Sequence, residues 1–388
     1  MNNKQYKINV AIAGLSFGME FVPIYMAHPN VGKVTVVDLN ENRLKTAKDR
    51  YSLGDDQVTT SLEKILDDPQ IDAVHLVTPP ATHAPLSVRV LNAGKHCACT
   101  IPMGLSIDEL YQVIEARKKS GKKYMFMETT IYEREFLYIQ ELAGSGKMGK
   151  IQYMTCAHYQ DMEGWPKYWD GFPPLMHPTH AVGPCVLLSG KLPASVYGRG
   201  SGRVRDELIK PYNCPFAFEA AFIAMENSDI TIEMERFLYG VARSYSECFR
   251  IYGENISYEW QQINDEAPVL FERADAPENT RGRGSKITEK RIIIPDYASR
   301  LPPEIAKFTV KTVYNNENTH LSFSQGGGHG GSHPHLVHEF VSSITEDREP
   351  VPDDIMGAYL TGAGILAHES AIAGGKIIDV PRFKEMKI

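Results

Sequence analysis

The chain has 388 residues, of which 43% are hydrophobic, and its 48 acidic and 41 basic residues give a net charge of -7. This length can bury more than one hydrophobic core, so we expect two domains. The acidic balance argues against nucleic acid or an anionic membrane surface as a partner. No apolar run reaches the roughly 18 residues that a membrane helix needs, and the first residues lack the apolar region of a signal peptide. The expected compartment is the cytoplasm.

The six cysteines are spread along the chain without a Cys-x-x-Cys pair. This spacing argues against a disulfide framework or a zinc knuckle. We expect the cysteines to be small core residues, and we predict no metal site from them.

The first third of the sequence alternates strand and helix signals. Apolar strands separated by helices of about 10 to 15 residues indicate right-handed βαβ units and a parallel sheet covered on both faces. The expected strands are 8–13, 34–38, 73–78, 96–100 and 124–127. We therefore predict an α/β fold in which residues 1–128 form a doubly wound domain of the Rossmann type.

The turn after the first strand is the candidate site for a dinucleotide, because amide groups and the positive end of the following helix would face a pyrophosphate there. Against the pattern G-x-G-x-x-G, only Gly14 matches, while Ser16 and Met19 stand at the other two glycine positions. The order of strand, turn and helix supports the site more than the motif does. The predicted cofactor contacts in this turn are Gly14, Ser16, Phe17, Gly18 and Met19.

Asp38 ends the second expected strand, 24 positions after Gly14. A carboxylate at this place can accept hydrogen bonds from both ribose hydroxyls and repel a 2′-phosphate, which favours NAD over NADP. Arg43, also a predicted cofactor contact, keeps NADP open. The alternative for residues 38–40 is a plain turn at the end of a strand.

The rest of the chain changes pattern. Successive strand-like runs without long helices suggest a large, open, mostly antiparallel sheet in a second α/β domain, residues 129–335, for substrate binding and oligomerisation. The expected strands are 151–159, 195–200, 217–225, 230–238, 248–252 and 292–295. We expect a helix at 181–188 and a partner subunit to cover the sheet, which indicates a homodimer or homotetramer.

Two further segments complete the expected organisation. Residues 275–290 are charged and contain glycine, so we predict a mobile surface loop. Helices at 336–346 and 354–373, within a C-terminal segment 336–388, are expected to pack back on the first domain.

Several short motifs, in their order along the chain, resemble those of the Gfo/Idh/MocA oxidoreductases. They are Val77-Thr78-Pro79-Pro80 with Thr82-His83, Ala93-Gly94-Lys95-His96, and Ile378-Asp379-Val380-Pro381. The resemblance runs nearly end to end and implies a sugar-like substrate between a Rossmann domain and a second α/β domain. It also implies further cofactor contacts from Thr78, Pro79, His83, Thr100, Pro102 and Glu128.

One departure from this family concerns its chemistry. Where its usual dehydrogenases have Glu-Lys-Pro, this chain has Thr100-Ile101-Pro102. The lysine that helps to deprotonate the alcohol is therefore missing, and Ile101, an expected substrate contact, has no ionisable group to replace it. The family's Asp-to-His pair is half present, because His180 matches the histidine while Met176 stands at the aspartate position.

A particular branch has similar segments, the NAD-dependent α-N-acetylgalactosaminidases. The matching segments are Pro178-Thr179-His180, His329-Gly330-Gly331, Met127-Glu128 followed by Tyr132, and Tyr159 ahead of Trp165 and Trp169. Enzymes of that kind use NAD without net consumption: oxidation at sugar C3 acidifies the C2 proton, the glycosidic oxygen leaves by elimination, water adds, and the hydride returns.

The resemblance implies roles for the candidate residues. His180 and Tyr159 would be the acid–base pair, His329 would contact the sugar or assist proton transfer, and Tyr132 would lie near the nicotinamide. His177, Trp165 and Trp169 are the remaining substrate candidates. Core packing stays open as the alternative for Tyr159 and for the two tryptophans.

The run from Gly326 to His335 contains five glycines and three histidines. Glycines allow a backbone to lie against a ligand, while a flexible linker is the alternative. The histidine spacing matches no zinc pattern, so no metal is predicted.

Three functions remain open at this point. They are a redox-neutral enzyme that cleaves glycosides, an NAD-dependent sugar or cyclitol dehydrogenase, and a catalytically silent protein that binds NAD or a sugar. Ile101 counts against the dehydrogenase, and His180 with His329 counts against the silent protein. The sugar, the anomer and the aglycone are not encoded in any recognisable motif.

Overall fold

The computed structural model describes residues 6–263, 266–274, 286–310 and 329–383, and the backbone of 312–313 and 323–324. Contacts divide the chain into two compact units. The first unit comprises residues 1–133, 296–362 and 382–388, and the second comprises 134–295 and 363–381. The segment 296–335, which the sequence analysis placed in the second domain, groups with the first unit because Leu301, Ile305 and Phe308 join its core.

Within the described residues, the first unit contains a parallel sheet of six strands in the order β3-β2-β1-β4-β5-β6. The strands are β1 (Ile8–Ala13), β2 (Val31–Val37), β3 (Val58–Thr59), β4 (Ala73–Leu76), β5 (His96–Cys99) and β6 (Tyr124–Phe126). This order is that of dinucleotide-binding domains, with the chain reversing direction across the sheet between β1 and β4. The predicted Rossmann domain is confirmed; the sequence analysis missed β3, which has only two residues.

Helices connect these strands, and polar residues define where several of them begin. They are α1 (Val22–Ala27), α2 (Glu41–Tyr51), α3 (Leu62–Asp67), α4 (His83–Asn92) and α5 (Ile107–Ser120). The side chains of Asn40, Ser61 and Ser106 accept hydrogen bonds from amides in the first turns of α2, α3 and α5.

The second unit is built on a large sheet. Its strands include β7 (Ile151–Tyr159), β8 (Pro193–Ser201), β9 (Phe218–Met225), β10 (Thr231–Phe237), β11 (Ser246–Gly253), β12 (Ile256–Glu259), β13 (Val269–Arg273) and β14 (Ile287–Arg291). They lie in the order β14-β13-β12-β11-β7-β10-β9-β8, and all neighbours are antiparallel except β7 and β10. The predicted mostly antiparallel sheet is confirmed.

Three details of the second-unit prediction are wrong. Strands β12, β13 and β14 were not expected, and residues 292–295 form no strand. Residues 287–290, assigned to a mobile loop, belong to β14, which pairs with β13 along five positions. The high content of charged residues in β14 hid it, since all five of its side chains are exposed and none marks a buried face.

Helices α6 (Arg134–Gly144), α7 (Thr179–Ser189) and α8 (Asp206–Ile209) belong to the second unit. Helix α7 is apolar around most of its circumference, as expected for a helix buried on all sides. It packs on one face of β7, β10 and β11. The opposite face of the sheet carries exposed aromatic residues, including Tyr197 and Phe222, which are paired across β8 and β9.

The remaining elements follow the second-unit sheet along the chain. They are α9 (Pro303–Ala306), β15 (Thr312–Val313), β16 (Phe323–Ser324), α10 (His333–Thr345), α11 (Asp354–Ile372) and β17 (Ile378–Asp379). Helix α10 places Leu336, Val337 and Phe340 in the core of the first unit. Strand β17 pairs with the outer side of β8 in the second unit. None of the helices in the described ranges combines the length and apolar composition that a membrane crossing requires.

Candidate functional site

The turn after β1 requires glycine at its first position. Gly14 has φ +95°, and a Cβ atom there would lie 2.2 Å from the carbonyl oxygen of Val77. Its amide donates to the Val37 carbonyl, 2.8 Å away, which ties the turn to the end of β2. Ser16 is exposed and Phe17 is half-buried, so the turn presents its middle residues outward.

Gly18 begins the next element of this turn, a short 3₁₀ helix of residues Gly18–Glu20. A Cβ atom on Gly18 would contact Ile12 and Val77 at 3.2 and 3.3 Å, so the glycine lets the turn pack closely on the sheet. The carbonyl of Met19 accepts a hydrogen bond from the Tyr51 hydroxyl. The turn is thus held by its packing on the sheet and by the hydrogen bond from Tyr51.

Asp38 follows β2 and fixes the same turn from the other side. One carboxylate oxygen accepts from the Leu15 amide at 2.7 Å, and the other accepts from the Asn40 amide at 2.8 Å. The Arg43 guanidinium lies 3.6 Å from the first of these oxygens. A carboxylate oxygen has two lone pairs, so each retains the capacity for one further donor such as a ribose hydroxyl. The residues present therefore fit a dinucleotide with a free 2′-hydroxyl.

The predicted contacts after β4 and β5 lie together at the carboxyl ends of these strands. The Thr100 hydroxyl donates to the Leu76 carbonyl, and the Thr82 hydroxyl contacts that of Thr78, next to Pro79. The ring of His83 is held between the carbonyl oxygens of Thr78 and Pro102, at 2.6 and 2.7 Å. Burial lowers the pKa of His83, while these two carbonyls oppose that effect. Both ring nitrogens of His83 are therefore used to hold together the loops that follow β4 and β5.

Three further candidates in the first unit, Ile101, Glu128 and Tyr132, are buried or partly buried. Ile101 is buried. The fully buried Glu128 accepts from the amide and the hydroxyl of Thr130, at 3.1 and 2.9 Å, and so caps the following turn. The Tyr132 hydroxyl donates to the Val351 carbonyl at 2.6 Å, and burial raises its pKa well above the usual range. The observed contact of the Tyr132 hydroxyl is therefore structural.

His329 lies beside the turn after β1. Its Nδ1 is 2.9 Å from the Thr129 hydroxyl, and its ring centroid is 5.6 Å from that of Phe17 and 5.3 Å from that of His333. The neighbouring Gly331 has φ +87°, and a Cβ atom there would lie 2.2 Å from the Thr309 carbonyl. Residues 326–328 of the glycine-rich run lie outside the described residues.

The second unit buries three neighbouring histidines, His158, His177 and His180, and two of them lie beside Glu247. The ring of His180 is 5.2 Å from that of His158 and 5.4 Å from that of His177. Nε2 of His180 is 3.7 Å from a carboxylate oxygen of Glu247, and Nε2 of His158 is 3.9 Å from the same oxygen. That oxygen also accepts a hydrogen bond from the Tyr245 hydroxyl. We call these five residues the histidine cluster.

Strand register explains why these residues meet. His158 on β7 is directly opposite Arg236 on β10 and Glu247 on β11. Directly opposite residues have side chains on the same face of a sheet, so the three form a row beneath α7. His180 lies in the first turn of α7, and His177 lies in the segment that leads into it. The cluster therefore depends on pairing between strands that are far apart in sequence.

Tyr159 is not beside His180. Successive residues of a strand point to opposite faces, so Tyr159 faces away from its neighbour His158. Its hydroxyl donates to Glu235, and its ring contacts Phe237 and the guanidinium of Arg243. Burial and the nearby Glu235 carboxylate raise the pKa of Tyr159. The expected pairing of Tyr159 with His180 is thus corrected: the β7 residue whose side chain lies beside His180 is His158.

The aromatic candidates differ in exposure. Trp169 is buried and meets the edge of the His177 ring at 5.2 Å. Trp165 is 45% exposed and lies edge-on to Trp169 at 6.4 Å. Trp169 therefore supports the histidine cluster, while Trp165 has a free face that could stack on a sugar ring.

A cavity of about 400 Å³ lies elsewhere in the second unit. Its floor includes Phe218 and Phe237, which face away from the histidine cluster. At its rim, Arg205 forms two hydrogen bonds with Glu163. This cavity is separate from the candidate site.

Residues 8–128 match the model of the GFO_IDH_MocA oxidoreductase family, described as having an NAD-binding Rossmann fold. The matched range contains strands β1 to β6, the Gly14 turn and Asp38. Residues 8–128 are thus similar to the NAD-binding domain of this family. The prediction of NAD as the cofactor is confirmed for this domain.

Curated relatives of this chain are named as glycosidases. A glycosyl hydrolase family 109 protein of Shewanella baltica is 28% identical over 139 residues, and an α-N-acetylgalactosaminidase of Shewanella oneidensis is 27% identical over 139 residues. In both cases the match covers 32% of this chain and 30% of the relative. A family 109 protein of Saccharopolyspora erythraea is 22% identical over 46% of the chain and 43% of its own length. The chain thus matches less than half the length of these relatives.

Solved structures resemble the whole chain. A levoglucosan dehydrogenase in complex with NADH and levoglucosan has a TM-score of 0.76 at 19% identity, covering 97% of this chain and 100% of that one. A myo-inositol 2-dehydrogenase from Lactobacillus plantarum has a TM-score of 0.70 at 18% identity, with the same coverage. The chain therefore shares the fold of these two dehydrogenases along nearly its full length.

Four residues of the site were missed in the sequence, namely His158, Arg236, Tyr245 and Glu247. A usable signal was present in β10, where Arg236 continues the buried alternation of Ile232 and Met234. A charged residue at an inward position of a strand is rarely tolerated without a specific partner, so it marks a functional or structural site. His158 shows the same signal after Met154 and Cys156 in β7.

Proposed function

We propose that this chain is an NAD-dependent enzyme that acts on a carbohydrate glycoside by redox-neutral oxidation, elimination and hydration. The histidine cluster supports this proposal most directly, because it buries three imidazoles next to one another and places two of them, His158 and His180, within 4 Å of the buried Glu247 carboxylate. The names of the curated relatives, which include an α-N-acetylgalactosaminidase, support a glycoside as the substrate class.

When bound, NAD supplies a reversible hydride acceptor; the chain must supply the proton transfers. The Glu247 carboxylate, 3.7 Å from Nε2 of His180, stabilises the protonated form of that ring. His180 can therefore accept a proton from a carbon or a hydroxyl and later return it. The Tyr245 hydroxyl holds Glu247 in place by donating to it.

The residue at position 101 agrees with the assignment of proton transfer to the histidines. A buried isoleucine stands where the usual family dehydrogenases have a lysine, so proton transfer must come from other groups. We propose His180 as the principal acid–base residue and His158 and His177 as its neighbours. His329, beside Phe17, is proposed to contact the bound dinucleotide or the sugar.

We also propose that the chain forms a homodimer or homotetramer through the outer face of the second-unit sheet. Tyr197 and Phe222 are 38% and 45% exposed there and lie opposite each other on neighbouring strands. An exposed aromatic pair on an open sheet is typical of a protein–protein contact. Phe222→Lys should lower the mass measured by analytical ultracentrifugation, and unchanged mass would reject this interface.

The test of the enzymatic proposal is a screen of nitrophenyl glycosides with two absorbance readings, one for the released aglycone and one for NADH. We expect aglycone release without accumulation of NADH. NADH that accumulates with a free sugar would replace the proposal with a sugar or cyclitol dehydrogenase. Binding of NAD and sugar with neither product would indicate a catalytically silent protein.

A further inference from the structure

Arg236 uses every donor that it has. Its guanidinium is fully buried. Its Nε donates to the His177 carbonyl at 3.1 Å. Its Nη1 donates to the His158 carbonyl at 3.1 Å and to the Phe237 carbonyl. Its Nη2 donates to the side-chain oxygen of Gln160 at 3.0 Å and contacts Nδ1 of His177 at 3.3 Å. An arginine side chain has five N–H donors in a fixed fork, and five acceptors surround this one.

The contact with His177 defines the chemistry of its ring. Arginine cannot accept a hydrogen bond, so Nδ1 of His177 must be the acceptor and carry no proton. A neutral imidazole with a bare Nδ1 has its proton on Nε2. The second contact, from Nε of Arg236 to the backbone carbonyl of His177, anchors the same residue and so limits rotation of the ring away from the guanidinium.

We propose that Arg236 is a positioning residue that holds His177 as the neutral Nε2–H tautomer, so that His177 donates a hydrogen bond to a carbohydrate oxygen and does not act as a base. This inference rests on the proposed function for the identity of the ligand. The tautomer is inferred from the contact between the Arg236 guanidinium and Nδ1 of His177.

The surroundings of His177 separate its role from that of His180. The groups that face it include Arg236 from β10, His158 from β7, His180 from α7, and the rings of Trp169 and Phe172. The guanidinium lies against His177, whereas the Glu247 carboxylate lies 3.7 Å from His180. A positive neighbour disfavours a second proton on His177, and a negative neighbour favours one on His180. One ring is thus set as a donor and the other as an acid–base group.

The ligand group that fits the His177 donor is a hydroxyl, ether or carbonyl oxygen. In an oxidised sugar, a carbonyl oxygen gains negative charge when the adjacent C–H is deprotonated, and a fixed N–H donor stabilises that charge. The Nε2–H group of His177 would thus supply an electrophilic donor in a chain that has isoleucine, with no ionisable group, at position 101.

Nuclear magnetic resonance tests the tautomer without any substrate. The protein is labelled with ¹⁵N-histidine, and the His177 signals are assigned by comparison with His177→Gln. We expect an unprotonated Nδ1 and a protonated Nε2 from pH 6 to pH 8. A proton on Nδ1, or a ring that becomes cationic in this range, would overturn the proposal. Because no turnover is needed, this result is independent of the proposed function.

Variants then test the donor role. Glutamine can place an N–H close to the position of Nε2, so His177→Gln should retain most of kcat, while His177→Leu should lose about 100-fold in kcat, the usual effect of removing a donor to a developing oxyanion. Equal loss in the two variants would reject the donor role.

Arg236→Lys tests the positioning role, since lysine keeps the charge but not the fork. We expect the His177 signals to show a mixture of tautomers and the pH profile of kcat to change shape. An unchanged tautomer in this variant would show that Arg236 is not what positions the ring. Should Arg236→Lys fail to fold, the spectrum of the wild-type protein still decides the tautomer.

Discussion

Both units bury histidines, but the charges around those histidines differ. In the first unit, burial lowers the pKa of His75 to about 3 and that of His28 to about 4. Nε2 of His28 is hydrogen-bonded to Nδ1 of another histidine, His338, at 3.1 Å. In the second unit, His158 and His180 have the carboxylate of Glu247 within 4 Å, and His177 contacts Arg236. Burial alone makes a histidine inert near neutral pH, whereas a charged partner can make it chemically useful.

Removing the charge of Glu247 tests this comparison most severely. Glu247→Gln should lower kcat by about 100-fold or more, because His180 loses the group that stabilises its protonated form. Steady-state aglycone release measures the effect. The matched control is Glu235→Gln on the opposite face of the sheet, which should stay within about threefold of wild type since the Glu235 carboxylate accepts from Tyr159, which faces away from the histidine cluster. Similar losses in both variants would contradict the assignment.

The first unit should instead be sensitive at its backbone. Gly14→Ala forces a Cβ against the Val77 carbonyl at φ +95°, which costs on the order of 2 kcal/mol and should weaken NAD binding about 30-fold. Isothermal titration calorimetry measures the affinity. Gly94→Ala is the control, because Gly94 has φ +74° but no atom within 4 Å of the added Cβ. We expect it to lower stability slightly and to leave NAD affinity unchanged; weaker NAD binding in the control would show that the Gly14 effect is not local.

The inert histidines of the first unit should appear in the pH dependence of stability. The folded-state pKa of His75, about 3, lies below its unfolded value of about 6.5, so the unfolded state takes up the proton first and stability is lost as the pH falls below 6.5. Between pH 7 and pH 5 this one group should cost about 2 kcal/mol, and His75→Phe should remove that part of the loss. Urea unfolding at the two pH values measures it.

The control for this prediction is Tyr25→Phe. It removes the hydroxyl that contacts Nδ1 of His75 but leaves the titrating ring in place. The loss of stability between pH 7 and pH 5 should therefore be as large as in wild type. A His75→Phe variant with the wild-type pH dependence would refute a buried, neutral His75.

The smallest expected effect concerns the choice of dinucleotide. Asp38→Asn keeps an acceptor for the Leu15 amide but removes the charge, so NAD affinity should fall about tenfold while discrimination against NADP decreases. Parallel titrations with NAD and NADP measure both numbers. An unchanged ratio of the two affinities would mean that Asp38 is only a structural brace of the turn.

The two candidate sites also differ in how much of them could be predicted from sequence. The turn from Gly14 to Met19 and Asp38 follow adjacent strands, so local pattern was sufficient to place them. The histidine cluster joins β7, β10, β11 and the start of α7, and only the pairing of distant strands brings His158, Arg236 and Glu247 into one row. Tyr159 illustrates the limit, because a shift of one residue along β7 changes the face and therefore the partners.

In the proposed function, the histidine cluster moves a proton at carbon during glycoside cleavage. The most direct test is turnover of a cleaved glycoside in D₂O, with mass spectrometry of the product sugar and a parallel reaction with His180→Gln. Elimination and hydration predict deuterium at C2 of the product from the wild-type protein and little product from the variant. Aglycone release without deuterium at C2 would contradict the mechanism, since no C2 proton would then have been removed.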